Sequence, residues 1–247
     1  MNRYIGITGF KAAEEVHFCD SVAKGKEPML MYGILTSQKS IHSPELEGSR
    51  RPAMTKVQEI LSTVPEYALP MIHHCSDNRN ISEEISRIFS YDSIYDKELV
   101  KALQLNQRLP EIKELEKIKG KYDGLQMVLQ LEPPDLANPQ ETGKIVKNYD
   151  GIIEYIIIDP SRGAGKELDL DNTLEVLLAL DTKAIPVIAG GLNPGNVADV
   201  IQFFRKKYGD NFCIDAEGRL REDPNYLSRN LAGNYIRNAL KAYNIKN

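Results

Sequence analysis

The feature that most constrains the fold of this sequence is a pattern that occurs three times in its C-terminal part. An apolar run stops at an acidic residue or at paired glycines, and a loop and an apolar helical pattern follow. The three runs, each with the residues at which it stops, are Ile152–Ile158 with Asp159, Ile185–Ala189 with Gly190 and Gly191, and Phe212–Ile214 with Asp215. A continuous apolar run is typical of a strand that is covered on both faces, so the pattern predicts a parallel sheet flanked by helices.

The preceding part of the chain can be divided into five more units of a strand and a helix. Their predicted strands are Tyr4–Phe10, Met29–Leu35, Ala68–Ile72, Leu99–Leu105 and Leu125–Leu131. Eight parallel units are typical of the (β/α)8 TIM barrel, and the length of 247 residues fits one such domain spanning 1–247. The alternative is an open doubly wound sheet, which usually has fewer strands and whose GxGxxG fingerprint is missing here.

A long polar loop is predicted after the second strand, from about 36 to 52. Loops of this length are uncommon unless they are functional or mobile. The segment contains Ser49, Arg50 and Arg51, which form either a lid that closes over an anion or a solvated loop.

The composition argues against several classes of protein. The net charge is −4 and the basic residues are scattered, which is not typical of a nucleic-acid-binding protein. No apolar stretch approaches the ~20 residues of a membrane span, and the N-terminus lacks the order of a signal peptide. The three cysteines are widely spaced, and no spacing typical of a metal site or a bound cofactor occurs. We therefore expect a cytoplasmic protein without a metal, a cofactor or a membrane partner.

Polar residues follow most of the predicted strands, and in a barrel the active site forms at those ends. Strand ends are often polar simply because they are exposed, but the set as a whole lies where barrel enzymes have their sites. The candidates are Thr8, Ser37, Lys39, His73, His74, Asn106, Arg108, Gln130, Glu132, Asp159, Asp215 and Glu217.

The loop after the seventh strand predicts a phosphate site. Gly190 and Gly191 let backbone N–H groups approach a ligand without a Cβ in the way. Asn193 would cap a helix that opens at Pro194, which directs further N–H groups into the same space. Loops after strands seven and eight are the usual phosphate site of this architecture. The alternative is that the segment is only a tight turn and the start of a helix.

Asp159 ends a strand that is otherwise apolar. A carboxyl group partly withdrawn from water has a raised pKa, which suits it to donate a proton. It can equally cap the following loop by accepting hydrogen bonds from backbone N–H groups, and the sequence leaves the two roles open.

Five segments together resemble phosphoribosylanthranilate isomerase. They are Gly6–Thr8, Ile158–Asp159, Gly163–Asp169, Ala189–Pro194 and Ile214–Asp215. The resemblance is good from about Ile152 to Asp215, thin at the N-terminus and absent from about Leu30 to Gln130. It implies a (β/α)8 barrel that binds a phosphorylated sugar and opens its ribose in an Amadori-type reaction, with a general acid and a general base.

The resemblance also implies roles for individual residues. Asp159 corresponds to the general acid, and the glycine-rich loops correspond to the phosphate binders. The ligand-binding residues expected from this are Gly163, Gly165, Lys166, Gly190, Gly191, Asn193, Asp215, Gly218 and Arg219.

Two departures set this chain apart from the family it resembles. The family's general base is a cysteine directly before Gly-Ile-Thr, and Ile5 stands at that position, where an apolar side chain accepts no proton. The loop after the eighth strand carries Glu217, whose carboxylate repels phosphate unless it points away or pairs with Arg219. We therefore expect a divergent relative and not the authentic isomerase.

A replacement base has to come from another strand end. Neighbouring residues of a strand point to opposite sides, so one of His73 and His74 can face the barrel mouth. Histidine titrates near neutral pH, although a histidine hydrogen-bonded beneath the long loop is the alternative. Lys39 is a further candidate, as a phosphate partner or as a Schiff-base amine, and a Schiff-base lyase requires Lys39 or Lys101 to face the barrel interior.

Two functions follow from these residues, and the sequence leaves the choice between them open. The first is an isomerase or lyase that acts on a small phosphorylated, sugar-like metabolite by proton transfer. The second is a non-catalytic barrel of the same kind that has lost activity and serves as a binding or scaffold protein. A small phosphorylated metabolite is the expected partner, and a homodimer is left open.

Overall fold

The computed structural model describes residues 2–160 and 168–245, and within these ranges eight parallel strands form a closed barrel. The strands are β1 (Tyr4–Thr8), β2 (Met29–Ser37), β3 (Leu69–Cys75), β4 (Ala102–Asn106), β5 (Gln126–Leu131), β6 (Tyr155–Ile158), β7 (Ile185–Ala189) and β8 (Cys213–Ala216). They pair in chain order, and β1 closes the barrel by pairing with both β2 and β8. The predicted (β/α)8 TIM barrel is confirmed.

Helices lie between successive strands and cover the outside of the barrel. In the described ranges they are α1 (Ala13–Ala23), α2 (Gln38–His42), α3 (Met54–Ser62), α4 (Ile81–Ser90), α5 (Ile112–Lys121), α6 (Pro133–Leu136), α7 (Pro139–Val146), α8 (Leu170–Ala179), α9 (Val197–Lys207) and α10 (Arg229–Asn244). In α4, for example, Ile81, Ile85 and Ile88 lie three or four positions apart and form much of the buried face of the helix.

The segment from 36 to 52 differs from the long loop that the sequence predicted. β2 continues to Ser37 because its ladder with β3 extends to the pair formed by Ser37 and Cys75. α2 then begins with a hydrogen bond from the Ser37 backbone N–H to the Ser40 hydroxyl, 3.1 Å long. The irregular part of the segment is therefore limited to the connection between α2 and α3.

Side chains along each strand alternate between two apolar cores. Tyr4 of β1 packs inside the barrel with Met31, whereas Ile5 belongs to the core between the strands and the helices. The next inward position of β1 is Gly6, which lies opposite Met31 on one side and Asp215 on the other. Because position 6 is a glycine, β1 has no side chain in the barrel interior between Tyr4 and Thr8.

The described residues contain neither a membrane-spanning helix nor a cluster of metal ligands. In residues 2–160 and 168–245, no helix combines the length and the apolar composition needed to cross a bilayer. Over the same ranges, no three His, Cys, Asp or Glu side chains are grouped so that they could hold a metal ion. The three cysteines Cys19, Cys75 and Cys213 are free thiols.

Candidate active site

A pocket opens at the carboxyl ends of the barrel strands, the end at which the sequence predicted the site. Residues of β3 to β8 and of the loops that follow β6, β7 and β8 line it, and its volume with the open mouth is about 540 Å³. The predicted residues that line it are His73, Asn106, Gln130, Asp159, Gly190, Gly191, Asp215, Glu217, Gly218 and Arg219. The pocket thus brings the histidine, carboxyl and glycine candidates together.

The floor of the pocket is formed by three polar side chains on adjacent strands. Gln104 Nε2 donates a hydrogen bond of 3.0 Å to Gln130 Oε1 and lies 3.5 Å from His73 Nε2. His73 Nδ1 and Gln104 Oε1 are buried and have no hydrogen-bond partner among the described residues. Buried polar atoms of this kind are rare unless a ligand or water satisfies them, so the floor can bind hydroxyl groups.

His73 is the histidine that faces the pocket, and its ring is neutral at physiological pH. Burial lowers the pKa of His73 to about 3, and the neighbouring His74 and Arg50 act in the same direction. A group with so low a pKa is a weak proton acceptor near neutrality. His73 is therefore suited to hydrogen bonding with a ligand rather than to general-base catalysis.

His74 points away from the pocket and is fully buried beneath α4. Its Nδ1 lies 2.9 Å from Thr36 Oγ1, and its Nε2 lies 3.0 Å from Glu84 Oε2. Burial lowers the pKa of His74, while the hydrogen bond to Glu84 opposes this shift. The alternative given from the sequence was a histidine hydrogen-bonded beneath the long loop. Thr36, at the start of that segment, is one partner of His74, and Glu84 of α4 is the other.

The two lysines considered for a Schiff base do not face the barrel interior. Lys39 is exposed on α2. Lys101 precedes β4, and its Nζ donates to the backbone oxygens of Glu66 and Ala68 at the opposite end of the barrel. The geometry therefore gives no support to a Schiff-base lyase that uses either amine.

Asp215 on β8 is the pocket carboxyl group with the most perturbed surroundings. Thr8 Oγ1 donates to both of its oxygens, at 3.3 Å and 3.2 Å. Burial raises the pKa of Asp215 to about 8, the carboxyl groups of Glu217 and Asp159 add to the shift, and the Thr8 hydrogen bond opposes it. Because a pKa near 8 allows both the protonated and the ionised form near neutral pH, Asp215 is suited to proton transfer.

Glu217 pairs with Arg50, whose Nη1 lies 2.8 Å from Glu217 Oε1. Burial raises the pKa of Glu217, and the positive charges of Arg50 and Arg221 oppose this. Arg219, the partner considered from the sequence, also lines the pocket. The repulsion that Glu217 would exert on an anion is therefore reduced by Arg50, a residue that the sequence analysis had considered only as part of a lid.

The segment that carries Arg50 lies against the end of β1. Lys11 Nζ donates to the backbone oxygen of Gly48 at 3.0 Å, and Arg51 Nη1 donates to Ser37 Oγ at 2.7 Å. With the ion pair to Glu217, these contacts hold the segment at one side of the pocket mouth. Whether it acts as a lid stays a prediction.

In the loop after β7 the two glycines adopt positive φ angles, and the helix begins later than the sequence predicted. Gly190 and Gly191 have φ of +98° and +66°, a region that favours glycine. α9 starts at Val197 rather than at Pro194, because residues 193–196 form a turn in which Gly195 N–H donates to Asn193 Oδ1 at 2.7 Å. Asn193 thus shapes the loop and does not cap the helix through its side chain.

Three of the expected ligand-binding residues, Gly163, Gly165 and Lys166, lie outside the described residues. Asp159, which precedes this segment, is buried and lines the pocket. The roles of these residues therefore stay predictions.

Comparison with known proteins identifies the relatives of this chain. No family model matches it. The curated N-(5'-phosphoribosyl)anthranilate isomerase of Methanococcus aeolicus is 24% identical over 207 residues, which cover 82% of this chain and 84% of that protein. The chain is a divergent relative of phosphoribosylanthranilate isomerase.

Solved structures of phosphoribosylanthranilate isomerases have the same fold. The enzyme of Thermus thermophilus superposes with a TM-score of 0.69 at 14% identity and covers 96% of this chain and 97% of its own. Another was crystallised with reduced 1-(o-carboxyphenylamino)-1-deoxyribulose 5-phosphate. It has a TM-score of 0.67 at 18% identity and covers 97% of this chain and 98% of its own. At these identities the likeness shows the barrel fold.

The position assigned to the base of phosphoribosylanthranilate isomerase does not reach the pocket in this chain. Ile5 is fully buried in the core between the strands and the helices, and its neighbour Gly6 is the residue that faces inward. Positions 5 and 6 of β1 therefore offer no proton acceptor to the pocket.

Two features of the pocket were missed from the sequence, although each left a signal. Gln104 is a polar residue within the apolar run Leu99–Leu105, which indicates a strand with one polar inward position. Gly6 is a glycine inside a strand, which is typical of a place where another group approaches the backbone closely.

Proposed function

We propose that this protein binds a small phosphorylated, sugar-like metabolite in the mouth pocket and isomerises it by proton transfer. The observation that carries the proposal is that one pocket is lined by the glycines of the β7 loop and by the carboxyl groups of Asp159 and Asp215. A relative of this fold binds a ligand that carries a 5-phosphate, which supports the same ligand class here.

Phosphate binding is assigned to the glycine side of the pocket. The positive φ angles of Gly190 and Gly191 expose backbone N–H groups without a Cβ to block an approaching oxygen. Gly218 and Arg219, in the loop after the neighbouring strand β8, line the same pocket. The sugar hydroxyls would then lie over the floor, where the unpartnered atoms of His73 and Gln104 accept or donate hydrogen bonds.

Proton transfer is assigned to the carboxyl side of the pocket. Asp159 is the proposed proton donor, by its resemblance to the general acid of phosphoribosylanthranilate isomerase and by its buried position in the pocket. Asp215 is the second carboxyl group of the same pocket. Two carboxyl groups in one site can serve as the acid and the base of a proton transfer.

The binding half of the proposal is tested by thermal shift with inorganic phosphate and with ribose 5-phosphate. A ligand at a hundred times its Kd stabilises the native state by about 2.7 kcal/mol and raises the melting temperature. Gly191→Asp should abolish the shift, because it adds a charged side chain beside the phosphate. The matched control is Gly124→Asp, since Gly124 has a similar φ of +71°, has open space around it and precedes β5 at the other end of the barrel. Equal shifts in both variants would contradict the proposed site.

The catalytic half is tested by turnover of phosphoribosylanthranilate and ribose 5-phosphate, each followed to its ketose product. Asp159→Asn should abolish turnover and leave the thermal shift by phosphate in place. Binding without turnover in the wild type would instead support a non-catalytic barrel. The absence of a side chain at Gly6 and the outward position of Ile5 favour that second function.

A further inference from the structure

The carboxyl group of Asp215 occupies the space that a side chain at position 6 of β1 would otherwise fill. Gly6 is the inward position of β1 directly opposite Asp215 in the ladder between β1 and β8. An ideal Cβ at Gly6 would lie 2.6 Å from Asp215 Oδ1, closer than real Cβ contacts occur. The carboxyl group therefore lies where a side chain of β1 would otherwise project into the pocket.

A second glycine, Gly33, leaves space for Thr8, the hydrogen-bond partner of Asp215. Thr8, the next inward residue of β1, donates its hydroxyl hydrogen to Asp215. Gly33 lies opposite Thr8 on β2, and an ideal Cβ there would lie 2.5 Å from Thr8 Oγ1. The missing side chains of Gly6 and Gly33 thus leave space for Asp215 and Thr8, which are hydrogen-bonded to each other. The carboxyl group of Asp215 is therefore held in one position, unlike a carboxylate on a flexible surface side chain.

We infer that Asp215 is the general base of the reaction and supplies from β8 the proton acceptor that β1 lacks. This inference rests on the proposed function and adds a named residue to it. It requires a substrate with a hydrogen on the carbon next to a carbonyl or imine carbon, as in the open-chain form of an aldose phosphate.

The step is a proton transfer in which atoms and electrons balance. Asp215 takes the proton from the carbon, and the electron pair of that C–H bond becomes the second bond of an enol or enamine. The pair of the original double bond moves to its oxygen or nitrogen, which takes a proton from Asp159, the donor in the proposed function. To complete the isomerisation, the electron pair of the enol or enamine double bond takes the proton held by Asp215 at the neighbouring carbon. The hydroxyl group on the first carbon gives its proton to the ionised Asp159, and its O–H pair becomes the second bond of the new carbonyl group.

The charges around Asp215 support this role. With a pKa of about 8, its ionised form is a stronger proton acceptor than an ordinary carboxylate and far stronger than His73, whose pKa is about 3. Groups from several elements interact electrostatically with Asp215 or donate hydrogen bonds to it. They are Thr8 and Tyr4 of β1, Asp159 after β6, the Ala216 N–H of β8, Glu217 after β8 and Tyr235 of α10. The neighbouring acids disfavour its ionised form, so activity should rise with pH.

The test is exchange of the carbon-bound hydrogen of ribose 5-phosphate for deuterium in D2O, followed by NMR from pH 6 to 9. For the wild type we expect a rate that rises about tenfold per pH unit and levels off near pH 8. Asp215→Asn should lower the rate about 10²–10⁴-fold while the thermal shift by ribose 5-phosphate is kept. Asp96→Asn, at an exposed position outside the pocket, should keep the wild-type rate.

Thr8→Val is the matched positioning variant, since it removes the hydroxyl group and keeps the shape. The Thr8 hydrogen bond lowers the pKa of Asp215, so its loss should move the midpoint of the pH profile to higher pH without removing activity. A ¹³C NMR titration of the aspartate carboxyl groups should show one group titrating near pH 8 in the wild type and none there in Asp215→Asn. This titration also reports whether the variants are folded.

The results that would overturn the inference also show whether the proposed function fails with it. If ribose 5-phosphate and phosphate do not bind, the proposed function fails and the inference fails with it. If they bind but the wild type exchanges no deuterium, or if Asp215→Asn exchanges as fast as the wild type, Asp215 is not the base while the binding function stands.

Discussion

Gly6 and Asp215 show how single residues set the shape of the pocket wall. The two residues are paired on β1 and β8. The carboxyl group of Asp215 lies in the space where a Cβ at position 6 would lie. The space on the other side of Gly6 is also occupied, because an added Cβ would lie 2.8 Å from Met31 Cε. The residue at position 6 therefore decides whether Asp215 can keep its position.

Gly6→Ala should destabilise the protein by about 1–3 kcal/mol, which is typical of overpacking. Its Cβ would lie 2.6 Å from Asp215 Oδ1 and 3.0 Å from the backbone oxygen of Ile214, which cannot move freely. The measurement is urea unfolding. Gly120→Ala is the control, because Gly120 lies in α5 with no atom within 4 Å of an added Cβ, and it should be neutral or stabilise by up to about 1 kcal/mol. Equal effects of the two substitutions would contradict the close contact.

At the scale of secondary-structure elements, Glu84 of α4 connects three segments behind the pocket. It accepts hydrogen bonds from Gln38 of α2 at 2.7 Å and from Asn78 at 2.9 Å, and it contacts His74 of β3 at 3.0 Å. Burial acts to raise the pKa of Glu84, but these hydrogen bonds outweigh it and lower the pKa to about 2. Glu84 thus fixes the end of β3, from which His73 enters the pocket.

Glu84→Ala should destabilise the native state by about 2–4 kcal/mol, because it leaves the buried His74 and the part-buried hydrogen bonds of Gln38 and Asn78 without their charged acceptor. The matched substitution is Glu83→Ala on the same helix. Glu83 is 64% exposed and pairs only across one turn with Arg87, so its loss should change stability by no more than about 0.5 kcal/mol. Urea denaturation of both variants tests this, and a Glu84→Ala effect as small as that of Glu83→Ala would show that the network contributes little.

At the scale of the whole molecule, closure of the barrel makes stability depend on pH through groups that it removes from water. The native pKa of Asp215 is about 8 against an ordinary 3.8, so between these values the native state holds a proton that the unfolded state releases. The contribution of Asp215 to the free energy of unfolding therefore falls as pH rises from 4 to 8. The native pKa of His73 is about 3 against 6.5, so its contribution has the opposite sign and falls as pH decreases from 6.5 to 3.

Between pH 6.5 and 8 the Asp215 effect acts without opposition from His73. The wild type should lose about 2 kcal/mol of unfolding free energy over this interval, at 1.36 kcal/mol per pKa unit. Asp215→Asn should remove most of the loss, whereas Asp96→Asn at an exposed position should keep it. Urea unfolding at several pH values measures both, and a flat wild-type profile would contradict the raised pKa.

The barrel itself was predictable because strand-forming apolar runs and turn residues are local features. The predicted bounds of β7 agree with the structure, and the other strands differ by a few residues. β3 is instructive, since the sequence predicted its end at Ile72, where the apolar run stops. The ladder continues to Cys75 because β2 and β4 supply hydrogen-bonding partners for the two histidines.

The sequence by itself determined the number and order of the strands, the end of the barrel that carries the pocket and most of the residues that line it. The tertiary structure alone decided that His73 faces inward and His74 outward, that Arg50 pairs with Glu217, and that Asp215 occupies the space beside Gly6. The physical reason is that apolar periodicity is read over a few neighbouring residues. Burial, charge pairing and raised pKa values arise from groups such as Thr8 and Asp215, 207 positions apart in the chain, which meet when β1 and β8 close the barrel.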